Sequence, residues 1–195
     1  MAMSEEKRNK IAKQRRKQIL EAALQLFLEY GYTNTTVQDI ADKAGISKGL
    51  IYRYFDSKND ILEAESELIE RCEIECKNQP TAVDALRTYA MRVLSDVEVS
   101  GYFPPLRNYI ACYLEGCLSE SMRERYFSNT YGRTYFGDLM KRGQEEGDII
   151  DGDPQALGTL FWNYLLGATA QYLRTPDDKR FDPNFEKILE LFLKK

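Results

Sequence analysis

Residues 36–55 alternate between helix-forming and turn-forming stretches, and this pattern leaves few folds open to the chain. Apolar residues three and four positions apart predict a short helix at 37–44. Gly45 follows it, as glycine often does just beyond a helix, and Ser47 can cap a second short helix that extends to about Tyr54. Two helices joined by a tight turn with a glycine form the outline of a helix-turn-helix.

The remainder of the chain is also predicted to be helical. Glycine and proline are sparse, at 12 and 6 of 195 residues, and no alternation of apolar and polar residues indicates a strand. Helical spacing of apolar residues predicts further helices at 19–30, 58–77, 81–98, 102–117, 120–146, 154–173 and 183–193. We therefore expect an all-α fold, with an N-terminal three-helix helix-turn-helix domain at 1–57 and a helical-bundle domain at 58–195.

The two parts differ in charge. The chain has a net charge of −4, yet residues 1–60 hold 11 Lys and Arg against 8 Asp and Glu. Residues 61–195 hold 16 Lys and Arg against 23 Asp and Glu. A basic front end on an acidic body suggests a polyanionic partner for the front end alone.

Several classes of function lack the residues that they need. The absence of histidine excludes the Ser-His and Cys-His nucleophile systems, and neither a glycine-rich phosphate loop nor a zinc-protease motif is present. We therefore expect no enzyme activity, no cofactor and no metal. No apolar run approaches the roughly 18 residues that cross a bilayer, and the first residues lack the apolar segment of a secretion signal. These features predict a cytoplasmic protein without a membrane partner.

The cysteines leave one alternative open. Cys72 and Cys76 lie four residues apart and so share a helix face, which makes a thiol-based sensor conceivable. Buried cysteine more often packs as a small apolar side chain, and disulfides are not expected in a chain of this kind. The remaining two cysteines, Cys112 and Cys117, show no zinc-binding spacing.

The second helix of the helix-turn-helix has two predicted faces. Lys48 can reach a phosphate or a guanine edge, Gly49 lets the backbone approach DNA closely, and Tyr52 lies one turn further on the same side. Leu50 can meet a thymine methyl group, whereas Arg53 faces either DNA or solvent. The opposite, apolar face is predicted to pack on the preceding helix and consists of Ile46, Ile51 and Phe55.

Residues that flank these helices complete the predicted DNA contacts. Thr35 and Thr36 can hold one phosphate together with the amides that open the first helix, and Tyr54 and Lys58 can hold another. The basic segment 7–17 is either an arm that adds phosphate or minor-groove contacts or a solvated tail. The competing structural interpretation of the whole region is an ordinary helical hairpin in a bundle. The predicted DNA-binding residues are Thr35, Thr36, Lys48, Gly49, Leu50, Tyr52, Arg53, Tyr54 and Lys58.

The run TTVQDIADKAGISKGLIYRYFDSKNDIL resembles the signature of the tetracycline-repressor (TetR) family of one-component bacterial regulators. The preceding AALQLFLEYGYTNTT fits the first helix of that family, and RGQEEGDI followed by DGDPQALGTLFWNYLLGATAQ is similar to its last two core helices. The resemblance implies a homodimer, operator DNA bound in the major groove and a small-molecule effector in the C-terminal domain. By the family's pattern, the DNA contacts fall on Thr36, Lys48, Gly49, Tyr52, Tyr54 and Lys58.

Tyrosines are concentrated beyond the helix-turn-helix. Aromatic residues at helical spacing are usually core, yet a buried tyrosine hydroxyl needs a partner, so several tyrosines around one interior suggest a cavity with polar groups. Positions 109, 112 and 113 share one helix face. The predicted effector-binding residues are Tyr89, Asn108, Tyr109, Cys112, Tyr113 and Trp162.

Dimerisation is predicted to use residues 122–146 and 154–173 of each subunit in a four-helix bundle. Small residues on the second of these helices let backbones approach closely; they are Gly158, Gly167, Ala168 and Ala170. Packing within one subunit is the alternative explanation. A dimer also suits DNA, because paired recognition helices reach half-sites about 34–36 Å apart or a multiple of that distance.

Two hypotheses of function fit these patterns. The first is a homodimeric transcriptional repressor that a small molecule releases from its operator. The second is a DNA-binding architectural or activator protein whose C-terminal domain binds a protein partner. A C-terminal domain packed without a void would favour the second hypothesis.

Overall fold

The computed structural model describes residues 5–64, 66–94, 105–174 and 184–195. Within these ranges the chain is helical apart from its connections and one isolated antiparallel bridge between Ile149 and Leu193. This confirms the predicted all-α fold class. The chain divides into two compact units, Met1–Leu68 and Ile69–Lys195. Among the described residues, no helix combines the length and the apolar character that crossing a membrane requires.

The described part of the first unit consists mainly of one long helix and several short helices around a small apolar core. They are α1 (Glu5–Tyr30), α2 (Val37–Lys43), α3 (Lys48–Ile51) and α4 (Lys58–Glu63). α1 packs against α2 and α4, and α2 packs against α3. Burying each large apolar side chain contributes roughly 1.5–3 kcal/mol. The most deeply buried of them are Ile19, Leu24, Phe27, Ile40, Ile51 and Ile61.

Hydroxyl caps determine where three of these helices begin. The side-chain oxygens of Thr36, Ser47 and Ser57 each accept a hydrogen bond from the backbone N–H three residues later. Gly45 has a φ of +64°, a conformation that strains other residues, and it reverses the chain between α2 and α3. The predicted helix-turn-helix is therefore present, although α3 ends at Ile51 and not near Tyr54.

The second unit is a larger helical bundle. α5 (Ser66–Lys77) begins within the first unit and continues through the start of the second. The remaining elements are α6 (Ala82–Leu94), α7 (Pro105–Leu114), α8 (Glu120–Phe127), α9 (Asn129–Tyr131), a π-helical turn (Gly132–Phe136), α10 (Gly137–Glu146), α11 (Pro154–Arg174) and α12 (Phe185–Glu190).

α11 is the central helix of the second unit. It packs against α6, α7, α10 and the π-helical turn. At Gly158 the backbone of α11 lies very close to the backbone of the π-helical turn and of the start of α10. A Cβ atom there would lie 2.4 Å from the Gly137 nitrogen and 2.6 Å from the Gly132 carbonyl oxygen. Phe161 and Trp162 are buried on the same side of α11. A glycine at position 158 is thus required for this backbone contact.

Two long predicted helices are interrupted in the structure. The helix predicted at 58–77 ends at Glu63, where the Ala64 N–H donates to the Asp60 carbonyl, and α5 starts at Ser66. The helix predicted at 120–146 is broken at Ser128, which has extended backbone angles. The Ser128 hydroxyl accepts a hydrogen bond from the Thr130 N–H, so it caps a new helical start. Residue 65 lies outside the described residues.

The helices predicted at 81–98, 102–117, 154–173 and 183–193 overlap helices of the structure over the described residues, although the second of them ends at Leu114. The helix predicted at 19–30 begins 14 residues earlier, at Glu5. Asp153 accepts a hydrogen bond from the Gln155 N–H at the start of α11, with Pro154 in the first turn. The first compact unit reaches Leu68, beyond the predicted boundary near residue 57, because α4 packs against α1. Parts of three predicted helices lie outside the described residues, namely 95–98, 102–104 and 183.

Candidate nucleic-acid interface and effector groove

α3 and the turn that follows it present one buried face and one solvent-facing face. Ile51 and Phe55 are 1% and 4% exposed and lie in the core of the first unit, while Ile46 is half-buried. Lys48, Tyr52 and Arg53 are exposed, together with Gly49. The packing face that the sequence predicts is therefore confirmed, and the polar side chains of the helix are left at the surface.

The solvent-facing side chains have no competing partner in the described part of the chain. No side-chain hydrogen bond or ion pair among those residues engages Lys48, Tyr52 or Arg53. Tyr52 is 46% exposed, and a Cβ atom at Gly49 would meet nothing within 4 Å. Leu50 and Tyr54 are half-buried at the edges of the same surface. A cation, a phenol hydroxyl and bare backbone are thus available together for a polyanion.

Thr35 does not have the predicted role. Its side chain is only 2% exposed, and its hydroxyl donates to the carbonyls of Gly31 at 2.8 Å and Leu26 at 3.3 Å. The predicted phosphate contact of this side chain is corrected, because a buried hydroxyl that closes the turn after α1 is not available to DNA. This role could not be predicted from the sequence, because a threonine before a helix is usually part of an exposed cap.

Thr36 is exposed and forms a capping box with Asp39. Its N–H and its hydroxyl donate to the Asp39 carboxylate at 2.8 and 2.7 Å, and the Asp39 N–H donates back to the hydroxyl oxygen at 3.2 Å. These hydrogen bonds lower the pKa of Asp39, the side-chain bond contributing most. A phosphate at Thr36 would compete with this carboxylate for the hydroxyl proton.

Lys58 is also held within the first unit. Its ammonium group donates to the carbonyls of Tyr32 at 2.6 Å and Thr35 at 2.8 Å. It also lies 4.1 Å from the centroid of the Tyr32 ring. The lysine that the sequence assigns to DNA therefore fastens the start of α4 to the loop that precedes α2.

The basic segment 7–17 is part of α1. Most of its lysines are exposed, but Arg16 is half-buried, 4.7 Å from the Phe55 ring centroid and 2.6 Å from the Glu67 carboxylate. The arm is therefore helical from Glu5 onward in the described chain, and Arg16 stabilises the packing of the unit. The remaining cations can still face a polyanion.

A groove of about 650 Å³ lies within the second unit, between α5, α8 and the segment from α9 to α10. It combines ionised side chains with two tyrosine rings. The residues that line it are Glu73, Lys77, Glu124, Arg125, Thr130, Tyr131, Thr134, Tyr135, Asp138, Leu139 and Arg142.

None of the six predicted effector residues lines this groove. Tyr113 is exposed and stacks on Phe127 with ring centroids 4.4 Å apart. The other five are buried: Tyr89, Asn108, Tyr109, Cys112 and Trp162. The predicted effector residues are mainly aromatic and do not include the groove residues, because the charged positions of the groove resemble ordinary solvated helix faces in the sequence.

A chain of hydroxyl groups connects this buried cluster with the groove. The Tyr131 hydroxyl donates to the Glu73 carboxylate at 2.7 Å and lies 3.1 Å from the Tyr89 hydroxyl. Because Tyr131 gives its only proton to Glu73, Tyr89 must donate to Tyr131. Burial raises the pKa of both tyrosines, so both are protonated at neutral pH. The Glu73 carboxylate is therefore connected by hydrogen bonds to Tyr89 in the core.

A third tyrosine, next to this chain of hydroxyl groups, has no partner for its hydroxyl within the described structure. Tyr126 is fully buried, stacks on Tyr109 at 5.3 Å and meets Tyr131 edge-on at 5.3 Å. Its hydroxyl makes no hydrogen bond within the described structure, and burial raises its pKa. A buried polar group without a partner costs roughly 1–3 kcal/mol and calls for an explanation.

Comparison with known proteins identifies the family. Residues 19–64 match the family described as bacterial regulatory proteins, tetR family. The HTH-type transcriptional regulator TtgR from Pseudomonas putida is 42% identical over 191 residues, which cover 92% of this chain and 90% of TtgR. This chain belongs to the tetR family. The resemblance seen in the sequence is thereby confirmed.

Other similarities within the tetR family are either shorter or structural. The regulator HbdR from Aromatoleum sp. (strain CIB) is 53% identical over 53 residues, which are 27% of this chain and only 23% of HbdR. A crystal structure of FadR from Bacillus subtilis in complex with stearoyl-CoA has a TM-score of 0.63 at 24% identity, covering 90% of this chain and 96% of FadR. That structure shows a shared fold.

Proposed function

We propose that this tetR-family protein is a transcriptional regulator that binds operator DNA as a homodimer and is released by a small-molecule effector. The observation that carries the proposal is the exposed face of α3, where Lys48 and Tyr52 project without an intramolecular hydrogen bond or ion pair in the described chain. Positively charged and phenolic side chains on a short helix suit phosphates at the edge of a major groove.

The dimer is proposed to form through α11. Leu160 is 60% exposed on this otherwise well-packed helix, and a Cβ atom at Gly167 would meet nothing within 4 Å of its own chain. Leu160 and Gly167 are seven residues apart, which places them on one side of the helix. An exposed leucine beside a bare glycine suits close packing against the same helix of a second copy.

The groove of the second unit is proposed as the effector site. Its volume of about 650 Å³ lies within the range of roughly 300–1,000 Å³ typical of small-molecule sites. FadR of B. subtilis, which shares the fold, was crystallised with stearoyl-CoA. The existence of the groove favours a small-molecule effector over the alternative of a protein partner for the C-terminal unit.

The coupling to DNA is proposed to run along the chain. Glu73 and Lys77 of the groove belong to α5, which starts shortly after α4 in the sequence. Allosteric coupling of roughly 1–3 kcal/mol would lower DNA affinity about 5- to 150-fold. A regulator of this kind needs no catalytic group, and we propose no enzymatic activity.

An electrophoretic mobility shift with DNA upstream of the gene that encodes this protein tests the proposal. The wild-type chain should retard a fragment that the Lys48→Ala/Tyr52→Ala variant does not retard. Tyr30→Ala is the matched control, because Tyr30 is 56% exposed at the end of α1 and does not belong to α3. Retardation of the same fragment by the double variant with unchanged affinity would refute DNA binding through α3.

A further inference from the structure

We infer that the effector of this protein is an organic cation with an aromatic or apolar body, held in the groove between Glu73, Glu124 and Asp138. The inference rests on the proposed function only in taking the groove as the effector site. It goes further in naming the chemical class of the molecule, which neither the fold nor family membership determines.

The three carboxylates of the groove take part in no ion pair within the described residues. Glu73 accepts a hydrogen bond from the Tyr131 hydroxyl, which is a neutral donor. Glu124 and Asp138 are exposed at the groove, and within the described residues neither carboxylate takes part in an ion pair. Three like charges around one groove repel each other, and a cation placed between them would relieve that repulsion.

Two of the groove's three cations are already paired with carboxylates outside the groove lining. Arg125 pairs with the Glu70 carboxylate at 3.0 Å. Arg142 pairs with the Glu146 carboxylate at 2.7 Å and donates to two backbone carbonyls as well. Arg125 also interacts electrostatically with Glu73. Lys77 has no carboxylate partner in the described chain, so the uncompensated Glu124 and Asp138 face one ammonium group.

A cation of the protein itself, the Lys77 ammonium, already lies near the aromatic wall of the groove. The rings of Tyr131 and Tyr135 stack with centroids 5.6 Å apart and planes 10° apart. The Lys77 ammonium lies 5.9 Å from the Tyr135 centroid, within the distance at which a cation is attracted to a ring face. An effector cation can take a comparable position and displace this flexible side chain.

The shape and volume of the groove suit a large cation. Among the described residues, no group of three or more acidic, cysteine or histidine side chains is arranged to hold a metal ion. A groove of about 650 Å³ suits a molecule of drug size, with an apolar body against the tyrosines and Leu139. The occupant is therefore an organic cation and not an inorganic one.

A pair of shape-matched ions tests this inference in the absence of DNA. Tetraphenylphosphonium and tetraphenylborate have the same four phenyl groups and opposite charge. The chain has one tryptophan, Trp162, whose ring lies 4.8 Å from that of Tyr131, so its fluorescence reports on the groove. We expect saturable binding of tetraphenylphosphonium, at least about tenfold tighter than binding of tetraphenylborate. Equal or tighter binding of the borate, or no binding of the phosphonium by fluorescence and calorimetry, would overturn the inference.

Variants locate the site. Glu124→Gln and Asp138→Asn should each weaken phosphonium binding about five- to tenfold. Glu120→Gln is the matched control, since it removes the same charge one turn away on α8, outside the groove lining. Lys77→Met should tighten binding, because it removes the resident cation. A gain in affinity cannot result from misfolding, so unchanged or weaker binding by Lys77→Met would count against the inference.

The same ions separate this inference from the proposed function. If the phosphonium binds in the groove but leaves the protein–DNA complex intact, the preference of the groove for an organic cation holds and the proposed release step fails. If tetraphenylborate dissociates the DNA complex and the phosphonium does not bind, effector release holds and the inferred cation class is wrong.

Discussion

The ammonium group of Lys58 donates to the carbonyl of Tyr32 at 2.6 Å while lying 4.1 Å from the ring of the same residue. A third contact, to the Thr35 carbonyl at 2.8 Å, also lies in the loop after α1. One side chain at the start of α4 therefore fixes the loop that leads into α2. This makes Lys58 a positioning residue of the helix-turn-helix.

Lys58→Met should destabilise the first unit. Two hydrogen bonds from a charged donor and a cation–aromatic contact are lost together, which costs about 2 kcal/mol. Denaturant unfolding measures the change, with Lys43→Met as control, because Lys43 is exposed in the last turn of α2. Unchanged unfolding with weaker DNA binding would instead support the DNA contact that the sequence predicts for Lys58.

The backbone contact at Gly158 gives a second prediction. Gly158→Ala would place a methyl group 2.4 Å from the Gly137 nitrogen, and overpacking of this kind costs roughly 1–3 kcal/mol. Gly49→Ala, measured without DNA, is the control, because a Cβ atom there meets open space and the residue lies outside the proposed dimer helix, so this change should leave the fold intact. Thermal unfolding compares the two variants, and equal melting temperatures would contradict the described packing of α11 on the π-helical turn.

The helix-turn-helix end of the fold could be predicted because its signals are local. The cap at Ser47 and the glycine at position 45 act within a few residues of sequence, and both agree with the structure. The break at Ser128 was not predicted, because a serine inside an otherwise helical pattern carries no clear stop signal. Such breaks depend on packing between distant residues.

The candidate effector groove could not be predicted for a related reason. Glu73, Glu124 and Asp138 lie on three separate helices, and each has the pattern of a solvated position. Only the tertiary structure shows that nearby arginines are paired elsewhere. The aromatic pattern did locate Tyr89, which is linked to the groove through Tyr131 but does not line it.

Leu160→Lys should weaken the proposed dimer. A lysine at this 60% exposed position would bring like charges together across two copies of α11 without disturbing the core of one chain. Sedimentation or light scattering should show a higher dimer dissociation constant. Leu191→Lys is the matched control, since Leu191 is 69% exposed near the C-terminus and lies outside α11. A dimer equally weakened by both variants would argue against α11 as the interface.

The capping box of α2 predicts an acid-dependent stability. Hydrogen bonds from Thr36 lower the pKa of Asp39 from its ordinary 3.8, so the ionised form stabilises the folded state. That stabilisation is present above pH 3.8 and is lost as the pH falls through the lower, folded-state pKa. Asp39→Asn keeps the acceptor oxygen but cannot titrate, so its melting temperature should fall less than that of the wild type from about pH 5 to about pH 2. In a Thr36→Val background the Asp39→Asn change should alter this slope less, because only the backbone N–H of position 36 still donates to the carboxylate. An undiminished effect there would show that the Thr36 hydroxyl is not its source.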